Sequence, residues 1–553
     1  MKLSSERLKE RIQKNLINYV AVRSDTGSAQ ERNIEGFFRQ WFDSIPYFRQ
    51  NSEQCGFYKI PNDILGRSVS WCLVKGTGAN TVVLMHHHDC VDTKEFGDLE
   101  SVSLKPHELK EALVKRKASL PADAQQDLSS KDWMFGRGVN DMKGGGSIQL
   151  SLIEEYCDNN DALNGNILLI SVPDEENLSA GMRGACSLLK ELQDRFSLHY
   201  IQMINSEPHS REQWGTPVIH NGSIGKIMPV IHVQGKLAHV ADVYNGLNPI
   251  RLLSEIVAQT EMNPYFLEKV GNTVSPPPVW LYEKDCKQVY DVSLPLHASG
   301  YMSILPLEKS PKEIMDKLRE ICTAAFQTVI DGIAASYLQT MQLKQAEPIP
   351  LELKPKVVFF KDLYDEAAQD SGAIFLDGYQ SLLQTIKEKE LSTIEAANTL
   401  IEFTLRHIHD KSPVVTIAIA PPFYPSVHNA MLKNEKSSNT QKAVDSLLEF
   451  AKAELDTLYT VESFFTGISD ISYAMFTSDE DSIRYIEDNM LLWKSMYYIP
   501  LDIIRDLSMP AVNIGPWGKD LHKTTERVYL PDLYYNTPKL LHRFICTMLQ
   551  MES

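Results

Sequence analysis

Along the first 220 positions, apolar residues recur in short unbroken runs at 81–85, 167–172 and 200–204. Between these runs lie longer stretches with apolar positions at helical spacing, such as 147–156 and 182–193. An apolar run without polar alternation fits a strand covered on both faces. Strands of this kind alternating with amphipathic helices predict a mainly parallel sheet between helical layers, an α/β fold of three layers. Residues 95–132, rich in Lys, Glu and Pro, read as a helical excursion on the surface. Near Gly222 the pattern changes. Residues 226–234 alternate as a strand, 248–260 read as a helix opened by Pro249, and 302–305 as a short strand. A long helical region then runs to about His409, and strand 414–420 stops at Pro421-Pro422. Three segments are therefore predicted: 1–225 and 428–553 form the α/β domain, and 226–427 form an inserted α+β domain. The second α/β segment supplies a last strand at 511–514.

Ligands of open α/β sheets gather beyond the carboxyl ends of the strands, so the residues after each run carry the functional signal. His86-His87-His88-Asp89 follows the first run. After a Gly136-Arg137-Gly138 turn, Asn140-Asp141-Met142-Lys143-Gly144 opens a helix. Pro173-Asp174-Glu175-Glu176 follows the second run, Glu207 the third, and Leu521-His522-Lys523 comes after the last strand. Singly, each has a structural explanation: a solvated His-rich turn, a Glu pair compensating a helix dipole, an Asp capping a turn. Together they place imidazoles and carboxylates, without thiolates, at one end of a sheet. That is the ligand set of a catalytic zinc or cobalt site. One bridging carboxylate with two ligands on each side would hold two metals about 3.5–4 Å apart around a shared water.

Charge narrows the partners. The 553 residues carry a net charge of −17, which repels phosphate backbones and anionic lipid and argues against nucleic acid and membrane. The eight cysteines are scattered with no Cys-x-x-Cys pair, so they are expected as reduced, mostly buried thiols rather than a zinc ribbon or disulfide framework. The first 13 residues read as an amphipathic helix rather than a signal peptide. No apolar run approaches the roughly 20 residues of a spanning helix, so the protein is expected in the cytoplasm.

The order His-x-Asp, Gly-Arg-Gly-x-x-Asp-Met-Lys-Gly-Gly, Asp-Glu-Glu, a later Glu and a C-terminal His resembles that of the co-catalytic zinc metallopeptidases of family M20. That family includes glutamate carboxypeptidase, aminoacylase and succinyl-diaminopimelate desuccinylase. Segments 22–28, 135–143 and 467–473 resemble its RocB group, associated with arginine utilisation. The resemblance implies a zinc-peptidase-like catalytic domain, and an insert serving as lid and dimerisation domain. It also implies two zinc ions, with cobalt or manganese as alternatives. His87 and Glu207 would complete one metal, Glu176 and His522 the other, with Asp141 bridging and followed by a cis peptide bond to Met142. Asp89 would orient His87, and Glu175 would be the general base, its pKa raised by apolar surroundings against the metals. Gly235-Lys236-Leu237-Ala238-His239, followed by Gly246-Leu247-Asn248-Pro249-Ile250, resembles the family's lid signature. There the histidine donates to the oxyanion, often across a dimer interface. Asp470, Ser472 and Asn248 are the implied substrate contacts. The implied activity is hydrolysis of an amide or peptide bond in a small-molecule or peptide substrate. The alternative is a catalytically silent, metal-binding or regulatory relative that keeps the fold.

Two departures from the family bear on the site. Its usual Gly before the metal histidine is here His86, leaving three histidines in a row, and His86 is a further candidate for coordination. The positions where relatives carry arginines for a substrate carboxylate read Ile304 and Ser472. Lys226 and Arg251 are the candidates to replace that cation.

Overall fold

The computed structural model describes residues 4–209, 211, 215–287 and 289–551. The first apolar run becomes strand Asn80–His87, buried from its second residue onward. Parallel strands flank it, Asn166–Val172 on one side and His199–Asn205 on the other, and Ala511–Asn513 continues the parallel run. Antiparallel strands Ser68–Lys75 and Cys55–Lys59 extend one edge. At the other edge Val218–His220 runs antiparallel to Ala511–Asn513 and parallel to Thr460–Glu462. The sheet is eight-stranded and mixed, and parallel where it carries the candidate site.

Two-residue alternation divides these strands between two cores. Val82, Leu84, Ile167 and Leu169 pack with helices Ser5–Val20, Asn33–Ser44, Lys143–Asp158 and Thr537–Met548. Val83, Met85, Leu168 and Ile170 pack with helix Ala180–Phe196. The apolar runs therefore lack polar alternation because both faces are covered. The 95–132 excursion is helical, with its own small core of Phe96, Leu109, Leu113, Leu128, Trp133 and Phe135.

A second, five-stranded sheet takes all its strands from residues between Lys226 and Tyr424, in the order Val279–Asp285, His297–Ser303, Lys226–Gln234, Val414–Tyr424, Val357–Phe359. Helix Pro311–Lys344 packs on it through Ile314, Leu318, Ile321, Ala325 and Val329, a stripe at helical spacing. Contrary to the reading of the apolar runs, this helix is long and apolar enough by composition to cross a membrane. Its buried stripe accounts for part of that character, and Leu338 and Leu343 near its end are exposed. The eight cysteines are all free thiols, six of them buried, as expected.

Candidate metal centre

Strand alternation sorts the three consecutive histidines. His86 Nδ1 meets Gln149 Oε1 at 3.0 Å and its Nε2 meets the Tyr19 hydroxyl at 3.1 Å. The Tyr19 hydroxyl lies 2.9 Å from Ser171 Oγ, which in turn lies 3.0 Å from His88 Nδ1. Burial pushes His86 down to about 4 and His88 well below the ordinary histidine value. Both ring nitrogens are engaged within the protein, and His86 belongs to neither candidate donor group. Gly146 makes room for it, since a Cβ there would stand 2.7 Å from His86 Cδ2.

His87 faces the opposite way, its Nε2 toward three carboxylates. Its Nε2 lies 3.1 Å from Asp141 Oδ1, 3.4 Å from Glu207 Oε1 and 4.0 Å from Glu175 Oε2. His522 Nε2 lies 3.1 Å from Asp141 Oδ2 and 3.0 Å from Glu176 Oε1. Two three-donor groups result, His87–Asp141–Glu207 and Asp141–Glu176–His522, sharing Asp141 through different oxygens. Donors around a tetrahedral ion with bonds of about 2.0–2.2 Å stand roughly 3.4 Å apart, so these spacings fit a metal in each group.

The charge balance fits as well. Burial, reinforced by Asp141, pushes Glu176 up to about 7; burial also raises Glu207 and drives Glu175 well above the carboxylate range. For Glu175 the charges of Glu207, Asp470 and Glu176 add to that rise, and His87 opposes it. Burial would lower His87, yet Glu207, Asp141 and Asp89 hold it well above the ordinary value. His522 is raised to about 10 by its hydrogen bonds to Asp141 and Glu176. Carboxylates crowded and desolvated to this degree are what bound cations relieve.

The loops that aim these groups are held from behind. Asp89 Oδ1 and Oδ2 accept the Glu175 and Glu176 N–H groups at 3.1 and 3.2 Å. The 3.1 Å contact to His87 Nδ1 comes from the Asp89 backbone carbonyl, with Oδ1 at 3.5 Å. Asp89 thus serves the ligand histidine mainly through its main chain and the base-bearing turn through its side chain. That turn contains Asp174 at φ 70° and Ser179 at φ 52°, and His522 sits at φ 63°. Such strained backbone persists only where neighbours over-determine it. Asp174 is fixed by the Arg67 guanidinium at 2.5 Å and the Ala180 N–H at 3.0 Å, and Arg67 also binds Glu31 and Asp63. The Asp141–Met142 bond is trans, contrary to the expected cis form: the cis bond among the described residues is Pro421–Pro422. Asp141 presents one oxygen to each histidine without it. Arg67, Glu31 and Glu526 were not legible in the sequence, because Arg67 reaches Glu31 and Asp174, and Glu526 reaches Arg137, across 36 to 389 residues of chain.

The remaining candidates do not share one place: Asp470 adjoins the centre, and the others lie elsewhere or on the second sheet's segments. Asp470 and Ser472 are buried, with Asp470 pushed up to about 7 by burial despite Ser179, and by Asp89 and Glu207. Asn248 caps helix Pro249–Thr260 by accepting the Ile250 N–H at 3.0 Å. His239 lies on an exposed loop, where its Nδ1 accepts the Ala241 N–H and its backbone bridges Ser293; the structure does not bring it to the donor groups. Of the two candidate cations, Arg251 pairs with Glu255 on its own helix, and Lys226 opens a strand of the second sheet opposite Tyr424. Ile304 is buried against Ile227.

A mixed α/β sheet whose strand ends, with two neighbouring loops, carry two carboxylate–histidine donor groups fits a hydrolase of the metallopeptidase type. The profile "Peptidase family M20/M25/M40" matches residues 119–476, and the chain belongs to this family. It is 30% identical over 543 residues to the uncharacterized protein YqjN of Bacillus subtilis, covering 97% of this chain and 96% of that protein. It is 29% identical over 558 residues to Protein RocB of Bacillus subtilis, covering 99% and 97%. Among solved structures it resembles the Bacillus subtilis YXEP protein, a dinuclear metal-binding peptidase of the M20 family. There the TM-score is 0.51 and the identity 11%, with 99% of this chain and 100% of that one covered.

Proposed function

We propose that the chain hydrolyses an amide or peptide bond of a small-molecule or peptide substrate, using two metal ions and Glu175 as general base. Glu175 itself carries this reading. It is a desolvated carboxyl beside His87 that belongs to neither donor group, a costly arrangement that a protein only storing metal has no need of. His87, Asp141 and Glu207 would hold one ion, and Asp141, Glu176 and His522 the other. Zinc suits these nitrogen and oxygen donors, with cobalt or manganese as alternatives. Such ions supply Lewis-acid polarisation of the scissile carbonyl and lower the pKa of water. Glu175 Oε2 takes the water's proton and passes it to the leaving nitrogen, a double role served by a carboxyl whose pKa is raised. Asp89, gripping the Glu175 and Glu176 N–H groups, keeps the base aimed. The dinuclear site of the YXEP protein supports the metal count. A place in arginine or amino-acid catabolism rests on the RocB resemblance. A cytoplasmic site of action, apart from nucleic acid and membrane, rests on sequence and charge.

The oxyanion donor completes the proposal. His239 sits among exposed Leu237, Val240 and Val243, apolar groups suited to cover by a second copy in a homodimer that carries the histidine to the other copy's site. His239→Ala should cost about 10²–10³ in turnover. Mixed dimers of His239→Ala and Glu175→Gln subunits should regain activity. Full activity in a strictly monomeric wild-type preparation would rule out action in trans.

On the substrate side, Asp470 and Ser472 are the proposed contacts. Asn248 acts through the helix it caps. With no arginine at Ile304 or Ser472, a terminal carboxylate has no planar bidentate partner. Metal-loaded protein should be screened against N-acyl amino acids, dipeptides and amides. Matched free acids and carboxamides should then differ by less than about a hundredfold in kcat/KM, or roughly 2.7 kcal/mol. A larger preference for the acid would reveal a clamp elsewhere. Two bound metals with no turnover in any class would favour the silent relative.

A further inference from the structure

We propose that Glu526 and Arg137 form a positioning clamp that sets the bridging ligand Asp141 and the terminal ligand His522 in register; this rests on the metal-centre reading above. Asp141 precedes its helix on a loop, and His522 occupies a turn whose side chain is about half exposed. Neither is fixed by a regular element, and the two stand 381 residues apart.

Glu526 reaches the first loop directly. Its Oε1 accepts the Asn140 and Asp141 N–H groups, both at 3.2 Å, and its Oε2 accepts Arg137 Nη1 at 2.6 Å. Arg137 reaches the second: its Nη2 donates to the His522 carbonyl at 3.2 Å and also binds Glu95. The backbones are joined too, since the Gly136 N–H donates to the Glu526 carbonyl at 3.1 Å. Both side chains are only 1% exposed, and neither belongs to a donor group. One buried ion pair thus touches the main chain of both ligand loops while leaving the ligand side chains free. Such support suits a centre that must hold its donors to within about half an ångström. Glu526→Gln would keep the shape but remove the buried one of the two carboxylates on Arg137, leaving only the part-exposed Glu95. Lysine at 137 would keep the charge but lose the planar fork that reaches Glu526 and His522 together.

The test uses the full chain, stripped of metal and titrated with cobalt(II). Binding is followed by the cobalt absorption bands and by competition with a chromophoric chelator, with circular dichroism confirming the fold. Wild type should take up two ions. Glu526→Gln and Arg137→Lys should each weaken cobalt binding about 10–100-fold, the usual cost of losing an outer partner of a ligand. Glu155→Gln is the control: it weakens the ion pairs of Glu155 with Arg7 and Arg11 near the far end of helix Lys143–Asp158, away from both ligand loops. It should lower Tm while leaving cobalt affinity within twofold. Cobalt affinity within twofold of wild type in both clamp variants, with only Tm reduced, would make the pair merely structural and overturn the proposal. Should Glu526→Gln fail to fold, Arg137→Lys decides by the same criterion. Wild type that binds no second ion would overturn the metal-centre reading, and the clamp with it.

Discussion

Asp141→Ala should empty both metal sites at once, taking the stoichiometry from close to two ions per chain to close to none and abolishing turnover. Asp141 is the residue common to both donor groups, through Oδ1 toward His87 and Oδ2 toward His522. His87→Ala and His522→Ala should each weaken mainly one site. Without metal, His522 is held protonated up to about pH 10 by Asp141 and Glu176, and an incoming ion must displace that proton. Metal uptake at pH 7 should therefore release protons, and affinity should rise from pH 7 toward 10. Metal analysis after loading, with proton release followed in weak buffer, checks both expectations. Metal should also protect the fold: free ion at a hundred times Kd adds about 2.7 kcal/mol, a stabilisation that Asp141→Ala should forfeit. Two fully occupied sites in Asp141→Ala would remove it from the bridging position.

Much of the centre was legible because the fold concentrates it. His87, Glu175, Glu176 and Glu207 lie directly beyond apolar runs, and in a parallel sheet those ends point one way. The spacing of His87 to Asp89 singled out, of three histidines, the one that faces Asp141 and Glu207, and alternation along the strand explains why His86 turns inward. The manner in which Asp89 acts was not legible, because sequence does not tell a carboxylate contact from a backbone carbonyl two residues away. The Arg67 cluster and the Glu526–Arg137 pair were invisible for a plainer reason: burial gave their charges partners brought close only by folding, 389 residues apart in the case of Arg137 and Glu526.

The outlying parts of the chain show the converse. Strand Ser68–Lys75 is almost wholly buried yet runs antiparallel at the flank of the sheet, so coverage on both faces does not fix a strand's direction. Helix Pro311–Lys344 holds no continuous apolar run, because Lys317, Arg319 and Glu320 interrupt it early, while its later turns are rich in Ala, Ile and Leu. His239 was placed by its motif, but a motif fixes no distance, and the loop that carries it is exposed.

Glu175→Gln should retain both metals and the fold while losing about 10²–10⁴ in kcat, the usual contribution of general acid–base catalysis. The substitution is nearly isosteric, and the backbone N–H of residue 175 still reaches Asp89, so the turn that presents Glu176 to its metal should stand. What disappears is the capacity to accept a proton. The burial that raises Glu175 well above the carboxylate range also makes the uncharged amide easy to accommodate. Stability should therefore hold or rise slightly, since the crowding with Glu207, Asp470 and Glu176 is relieved. Because the loss falls on the chemical step, kcat and kcat/KM should drop together with KM little changed. The measurement is steady-state kinetics on any substrate found by the screen, alongside metal analysis and thermal unfolding of the same preparation. Turnover near wild type with both metals bound would reduce Glu175 to a helix-start carboxylate and leave the proton transfer to another group. Loss of metal along with activity would mean that the residue supports the Glu176 ligand rather than the reaction.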